Sequence, residues 1–180
     1  VLFGAGDQEL LTRRGVAVVG SRDVDAAGAQ FAEDVGRNCT KSGLTVISGA
    51  AKGEDRQGMT GGLEADGSAV GVLADSLEGA IATRETRQRI LKGRLTLVTP
   101  FHPRTKFSVR DAMQRNKFIY GLVHYALGVA SAQENGGTWA DAIENLKSGW
   151  MPLFVRMGTD VPEGNVHLLT KGALEFPDTL

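Results

Sequence analysis

Short, almost wholly apolar runs alternate along this chain with longer segments in which apolar residues return every three or four positions. That alternation leaves few folds open. Val16-Ala17-Val18-Val19, Leu44-Thr45-Val46-Ile47-Ser48-Gly49, Ser68-Ala69-Val70-Gly71-Val72-Leu73 and Leu95-Thr96-Leu97-Val98 read as strands, followed by Ala126-Leu127-Gly128-Val129-Ala130 and Pro152-Leu153-Phe154-Val155-Arg156. A run apolar at nearly every position suits a strand covered on both faces, as inside a parallel sheet. Between these runs the spacing predicts helices over 26–41, 55–65, 80–92, 109–120 and 136–147. The implied class is α/β with a mainly parallel sheet.

Local punctuation supports the same reading. Gly43 is placed to cap the first helix, and Thr99-Pro100 closes the fourth strand because proline cannot continue a ladder. Gly58, Gly61 and Gly62 make the 55–65 helix intrinsically weak. Residues 1–15 read as a lead-in on the sheet edge, 16–160 as the main domain, and 161–180 as a closing helix or loop and tail. A chain of 180 residues is most simply one domain. It starts at Val1 rather than Met, leaving room for a segment upstream.

Right-handed crossovers put every strand-to-helix turn on one rim of such a sheet, and ligands bind there. The turns at Gly20, Gly49, Pro100 and Gly136 are therefore expected to converge. Helix N-termini at such turns present free N–H groups and the positive end of the dipole, which suits phosphate. The ligand-binding candidates are Gly20, Ser21 and Arg22; Ser48, Gly49 and Lys52; Arg115, Asn116 and Lys117; and Gly136, Gly137 and Thr138. Arginine and lysine supply charge, the glycines let backbone approach closely, and Thr138 adds a hydroxyl. Each also has a plainer reading: Arg22 as a surface helix-cap residue, Lys52 as a solvated loop lysine, and Arg115-Asn116-Lys117 as a charged outer helix face. Gly136-Gly137 equally fits a tight turn, Asp55 a helix cap, and Glu134 and Glu144 a solvated surface.

Several chemistries lack their residues. There is no Gly-x-x-x-x-Gly-Lys-Ser/Thr loop, no His-Glu-x-x-His pair and no Gly-x-Ser-x-Gly elbow. His102, His124 and His167 are scattered, so no metal or cofactor is expected. The single cysteine, Cys39, rules out an internal disulfide and suits a reducing cytoplasm. No apolar run of about eighteen residues is present to span a membrane. The net charge of −1 means that any nucleic-acid role must rest on a local basic patch.

Taken together, four segments resemble the DprA/Smf family of DNA-processing proteins. Residues 16–22 resemble its Gly-Ser-Arg loop, and Ser48-Gly49-Ala50-Ala51-Lys52-Gly53-Glu54-Asp55 its Ser-Gly-x-Ala-x-Gly-x-Asp segment. Gln114-Arg115-Asn116-Lys117-Phe118-Ile119 resembles its Arg-Asn-Arg/Lys-x-Ile element, and Asn135-Gly136-Gly137-Thr138 stands where the family has a Ser-Gly-x-x-x-Thr-Ala stretch. The resemblance implies a Rossmann-like three-layer sandwich that binds single-stranded DNA, forms a homodimer and hands the strand to the RecA recombinase. It implies DNA-backbone contacts from Arg22, Lys52, Arg115 and Lys117, with Phe101 and Phe107 placed either to stack on bases or to pack on the core. The chain departs from the pattern at Met59-Thr60, where the family has Ala-His, and at Thr99-Pro100, where it has Ser-Glu. With neither a winged-helix tail nor an N-terminal helical domain, the sequence reads as the central domain of a divergent branch.

The leading expectation is thus a non-catalytic module for single-stranded DNA in processing, recombination, DNA uptake or defence against foreign DNA. The alternative is a nucleotide sensor, or a LOG-type phosphoribohydrolase acting on nucleoside monophosphates. For that enzyme the only acid near the Gly136-Gly137-Thr138 turn is Asp141, at imperfect spacing. A ligand-free protein–protein scaffold is a third reading.

Overall fold

The computed structural model describes residues 1–20, 25–50, 54–131, 136–158 and 161–176. Its strands are β1 (Phe3–Ala5), β2 (Gly15–Val19), β3 (Thr45–Ser48), β4 (Ala69–Val72), β5 (Leu95–Thr99), β6 (Tyr125–Gly128), β7 (Leu153–Arg156) and β8 (Leu174–Phe176). They form one eight-stranded sheet in the order β1-β5-β4-β3-β2-β6-β7-β8. β1 lies antiparallel to β5, while the pairings from β5 across to β8 are parallel. The lead-in segment thus supplies one edge strand and the closing segment the other. β8 was not expected from the sequence: Leu174-Glu175-Phe176 is too short and too mixed to announce a strand.

The helices are α1 (Ala26–Lys41), α2 (Glu54–Glu64), α3 (Leu77–Ala82), α4 (Arg84–Leu91), α5 (Val109–Leu122), α6 (Gly136–Ser148) and α7 (Glu163–Thr170). α1 has its predicted bounds. It ends at Gly43, where φ is +67° and the N–H groups of Gly43 and Leu44 bond to Thr40 and Cys39 carbonyls at 3.0 and 2.8 Å. The single helix expected over 80–92 is two. Thr83 adopts extended φ/ψ of −72° and 141° and its Oγ1 accepts the Thr86 N–H, so it ends α3 and caps α4.

Each face of the sheet carries its own core. Ala17, Ile47, Val70, Val72 and Val98 face Leu10, Ile119, Tyr120, Ala142 and Leu168 on the side of α5, α6 and α7. Val18, Val46, Ala69, Leu97 and Leu127 face Phe31, Ala32, Val35, Met59 and Leu77 on the side of α1, α2 and α3. The strand alternation divides these residues cleanly, giving three layers. The glycines that weaken α2 in isolation have a packing purpose. A Cβ on Gly61 would lie 2.1 Å from the Glu33 carbonyl oxygen, and one on Gly36 would lie 2.1 Å from that of Gly58. α1 and α2 therefore touch backbone to backbone, which no larger residue permits.

Strand order also locates a crevice of the kind in which open α/β sheets bind ligands. From β2 the chain steps outward through β3, β4 and β5, then returns with β6 on the other side of β2. α1 leaves β2 on one face and α6 leaves β6 on the other. Their carboxyl ends border the crevice of a topological switch point. Val129 N–H closes it below with a 3.0 Å bond to the Val19 carbonyl.

Candidate functional site

Helices α1, α2, α5 and α6 each follow a parallel strand and so begin at the carboxyl rim. Asp25 Oδ1 caps α1 by accepting the Gly28 N–H at 2.7 Å, and Ser108 Oγ caps α5 by accepting the Asp111 N–H at 3.0 Å. α6 opens with Gly136, at φ +85°, and Gly137; both are exposed, and a Cβ on either would meet nothing within 4 Å. Gly20, at the end of β2, and Thr138, in the first turn of α6, are half-buried. Ser21, Arg22 and Lys52, three of the expected contacts, lie outside the described residues.

Arg115 differs from the expectation of a phosphate-facing arginine. It is only 4% exposed, and its Nη1 donates to the Gly49 carbonyl at 2.5 Å and the Val72 carbonyl at 2.6 Å. The cause is helical phase: Ala112, Arg115 and Ile119 share the buried stripe of α5, spaced three and four apart. There the side chain meets carbonyls just beyond β3 and within the end of β4, where strand pairing runs out. A Cβ on Gly49 would fall 2.1 Å from Nη1, so that glycine makes room for the guanidinium. Ser48 is likewise turned inward. It is fully buried and its Oγ donates to the Val18 carbonyl at 3.1 Å, tying β3 to β2. Both residues thus hold the rim in place from below.

Asn116 and Lys117 join α5 to α6. Asn116 Nδ2 donates to Asp141 Oδ2, and Lys117 Nζ pairs with Glu144 Oε1 at 2.8 Å. Glu144 is therefore engaged by a cation rather than simply solvated. Lys117 stays about half exposed, with its charge accessible at the surface. Asp141 is buried and bonded, an environment that fits a structural carboxylate rather than an acid poised to work on a substrate.

Sequence reasoning passed over Asn165. Fully buried in α7, it donates from Nδ2 to the Val129 and Arg156 carbonyls, both at 2.9 Å, and its Oδ1 accepts the Ser131 N–H at 2.9 Å. One side chain thereby joins the carboxyl ends of β6 and β7. A lone amide beside Val166, Leu168 and Leu169 was the available signal. Arg156, also buried, stands over the Phe31 ring with its Cζ 5.1 Å from the centroid.

The turn after β5 is braced as well. Arg104 Nε donates to both Glu78 oxygens, at 2.9 and 2.8 Å, and the Pro103 carbonyl accepts from Glu78 N–H and Ser76 Oγ. Phe101 is half-buried, whereas Phe107 is exposed. Among the described residues no cluster of histidine, cysteine or carboxylates could hold a metal ion. No helix among them is long and apolar enough to cross a membrane.

The family model for DNA recombination-mediator protein A matches residues 1–178. The DNA processing protein DprA of Bacillus subtilis (strain 168) is 29% identical over 153 residues, which are 83% of this chain and 50% of that protein. The structure of DNA processing protein A from Streptococcus pneumoniae superposes with a TM-score of 0.83 at 26% identity, covering 97% of this chain and 62% of that one. DNA processing protein A from Helicobacter pylori, whose structure addresses its single-stranded DNA binding mode, gives 0.80 at 22% identity, covering 97% and 80%. The chain thus spans only about half the length of the Bacillus relative. With the model matched along nearly the whole sequence, the chain belongs to the DNA recombination-mediator protein A family.

Proposed function

We propose that this protein binds single-stranded DNA by its phosphates at the carboxyl rim of the sheet, centred on the crevice between β2 and β6. One observation carries the reading: α1 after β2 and α6 after β6 begin on either side of a topological switch point, α6 on a glycine pair open to close approach. Backbone N–H groups and cations there recognise a repeating anion without reading sequence. Family membership and the binding mode studied in the Helicobacter relative support DNA as the polyanion. In this reading Gly20, Gly136, Gly137 and Thr138 face the strand, Ser21, Arg22 and Lys52 belong to the same turns by sequence, and Lys117, paired with Glu144 two turns along α6, is left on the outer surface of α5 and α6. Gly49, Ser48, Arg115 and Asn116 hold those turns in register.

Family membership also supports homodimerisation, transfer of the strand to a RecA-type recombinase and a cytoplasmic setting. The nucleotide-hydrolase alternative is not favoured, because Asp141 is held by Asn116. The deciding measurement is fluorescence anisotropy of labelled oligothymidylate across a salt series. Affinity is expected to fall linearly on a log–log plot, with a slope near −0.7 per phosphate neutralised. Absence of binding at low salt, or binding indifferent to salt, overturns the reading.

A further inference from the structure

We propose that the face of β6, β7 and β8 beside α1 is a docking groove for an amphipathic helix of another protein, one whose apolar stripe is flanked by carboxylates. The groove lies on the opposite side of the sheet from α5, α6 and α7, away from the side chains that brace the rim.

Layer geometry leaves the place open. On this side α1 to α4 cover β2 to β5. Past α1, the last three strands carry no helix on this face among the described residues. Their side chains are nevertheless those of a core. Leu127, Phe154 and Phe176 project to this side, Tyr125 stands level with Val16, and Leu174 stands level with Phe154. Tyr125 and Leu174 remain 39% and 49% exposed. Edge-to-face ring contacts cross the strands, from Tyr125 to Phe154 at 6.3 Å, Phe154 to Phe176 at 6.3 Å and Phe176 to Phe31 at 6.0 Å. They fix the floor before a partner arrives. Between that floor and the side of α1 lies a groove of about 330 Å³, walled by Val35, Asn38, Cys39 and Ser42. Among the described residues its lining holds no charged side chain.

Dimensions select a helix. β6 and β8 are two strand spacings apart, about 10 Å, and a helix with its side chains is about 10–12 Å across. Neighbouring helices pack about 8–10 Å apart, so one seated beside α1 has its axis above these strands. An extended segment would instead add to the outer edge of β8 and leave the rings wet.

Charge selects which helix. Lys41 ends α1 beside the groove, its Nζ 3.2 Å from Oδ1 of the lining residue Asn38. Arg14 stands two positions before Val16, on the same strand face. Neither forms an ion pair among the described residues. The acids of α1, Glu33 and Asp34, are taken up by Arg37, and Glu175 alternates to the other face of β8. Where the strands begin, the groove is thus apolar inside and positive at its lip. Leucine-like side chains with carboxylates beside them answer both features, whereas a nucleic-acid strand answers only the cations.

The probe is a labelled synthetic peptide of about fourteen residues, lactam-bridged so that it is helical alone, with leucines at i, i+3, i+4, i+7 and i+11 and glutamates beside them. Anisotropy on the full chain compares it with a scrambled version and with one carrying lysine for glutamate. The acidic stripe should bind at least about tenfold more tightly than either. Leu174→Glu and Tyr125→Ala, at exposed positions, should each weaken it about tenfold, with thermal unfolding close to wild type. Arg14→Ala/Lys41→Ala should narrow the margin over the lysine peptide by about two- to fivefold. No binding at about 100 μM, equal binding of all three peptides, or wild-type binding by both groove variants overturns the proposal. So does a wild-type dimer that both variants split, which gives the face to a second copy, or a parallel loss of oligothymidylate affinity, which gives it to DNA.

Discussion

The guanidinium of Arg115 and the backbone of Gly49, sixty-six residues apart in sequence, occupy each other's space: Nη1 donates to the Gly49 carbonyl at 2.5 Å where a side chain would otherwise start. Two segments of the family pattern are therefore one structural unit. Arg115→Ala removes donors from two carbonyls and leaves a cavity, so stability should fall by about 2–4 kcal/mol. Gly49→Ala forces the guanidinium out of its bonds and should cost a similar amount. Because both variants break the same interaction, the double variant should lose clearly less than the sum of the singles. Urea denaturation of the four proteins measures this; strict additivity would show that the two residues do not act on one another.

How much of this was legible beforehand follows from what each signal depends on. Periodicity gave α1 its bounds and α5 its start, since both helices have one apolar stripe and clear caps. It joined α3 and α4 because the polar–apolar rhythm runs straight through Thr83, and only the local φ/ψ shows the break. The type of residue at 115 suggested phosphate, but its direction depends on where the α5 stripe falls against β3 and β4. That is a tertiary fact. Asn165 was hidden for a related reason: its three partners come from β7 and from the turn that follows β6, which no local window contains.

The glycines between α1 and α2 invert the usual rule that alanine stabilises a helix. Gly61→Ala gains up to about 1 kcal/mol of propensity, but its Cβ would stand 2.1 Å from a backbone oxygen of Glu33 that cannot step aside. A net loss of about 1–3 kcal/mol is expected, from overpacking. Gly121→Ala in α5 is the control, because a Cβ there meets nothing within 4 Å. It should be neutral or stabilising by up to about 1 kcal/mol. Thermal unfolding of both variants decides the matter, and equal shifts would refute close helix packing as the reason for Gly61.

Asp141 offers a direct choice between a structural and a catalytic carboxylate. Asp141→Ala strands the Asn116 amide at a partly buried site and should lower stability by about 1–3 kcal/mol. Incubation of the wild type with nucleoside monophosphates should release no free base. Asn116→Asp places a second carboxylate against Asp141, so its stability deficit should be larger at neutral pH than in mild acid, where one of the pair takes up a proton. Base release by the wild type, abolished in Asp141→Asn, would return the residue to a catalytic role.

Cys39 gives a pH dependence whose sign can be worked out. It is buried in α1 on the side facing the sheet, and burial pushes its thiol up to about 11 from an ordinary 9.0. The folded state thus keeps its proton more tightly than the unfolded state. The stabilisation is complete below pH 9 and is lost as pH rises towards 11, amounting to roughly 2–3 kcal/mol. Cys39→Ala removes the titration at the cost of a small cavity, so the gap in stability between wild type and variant should narrow over that interval. Native alkylation by iodoacetamide at pH 8 should also be far slower than in urea, because the reactive species is the thiolate. A gap that stays constant from pH 8 to 11, together with rapid native alkylation, would mean that the thiol is open to solvent and that α1 does not seal the sheet at this point.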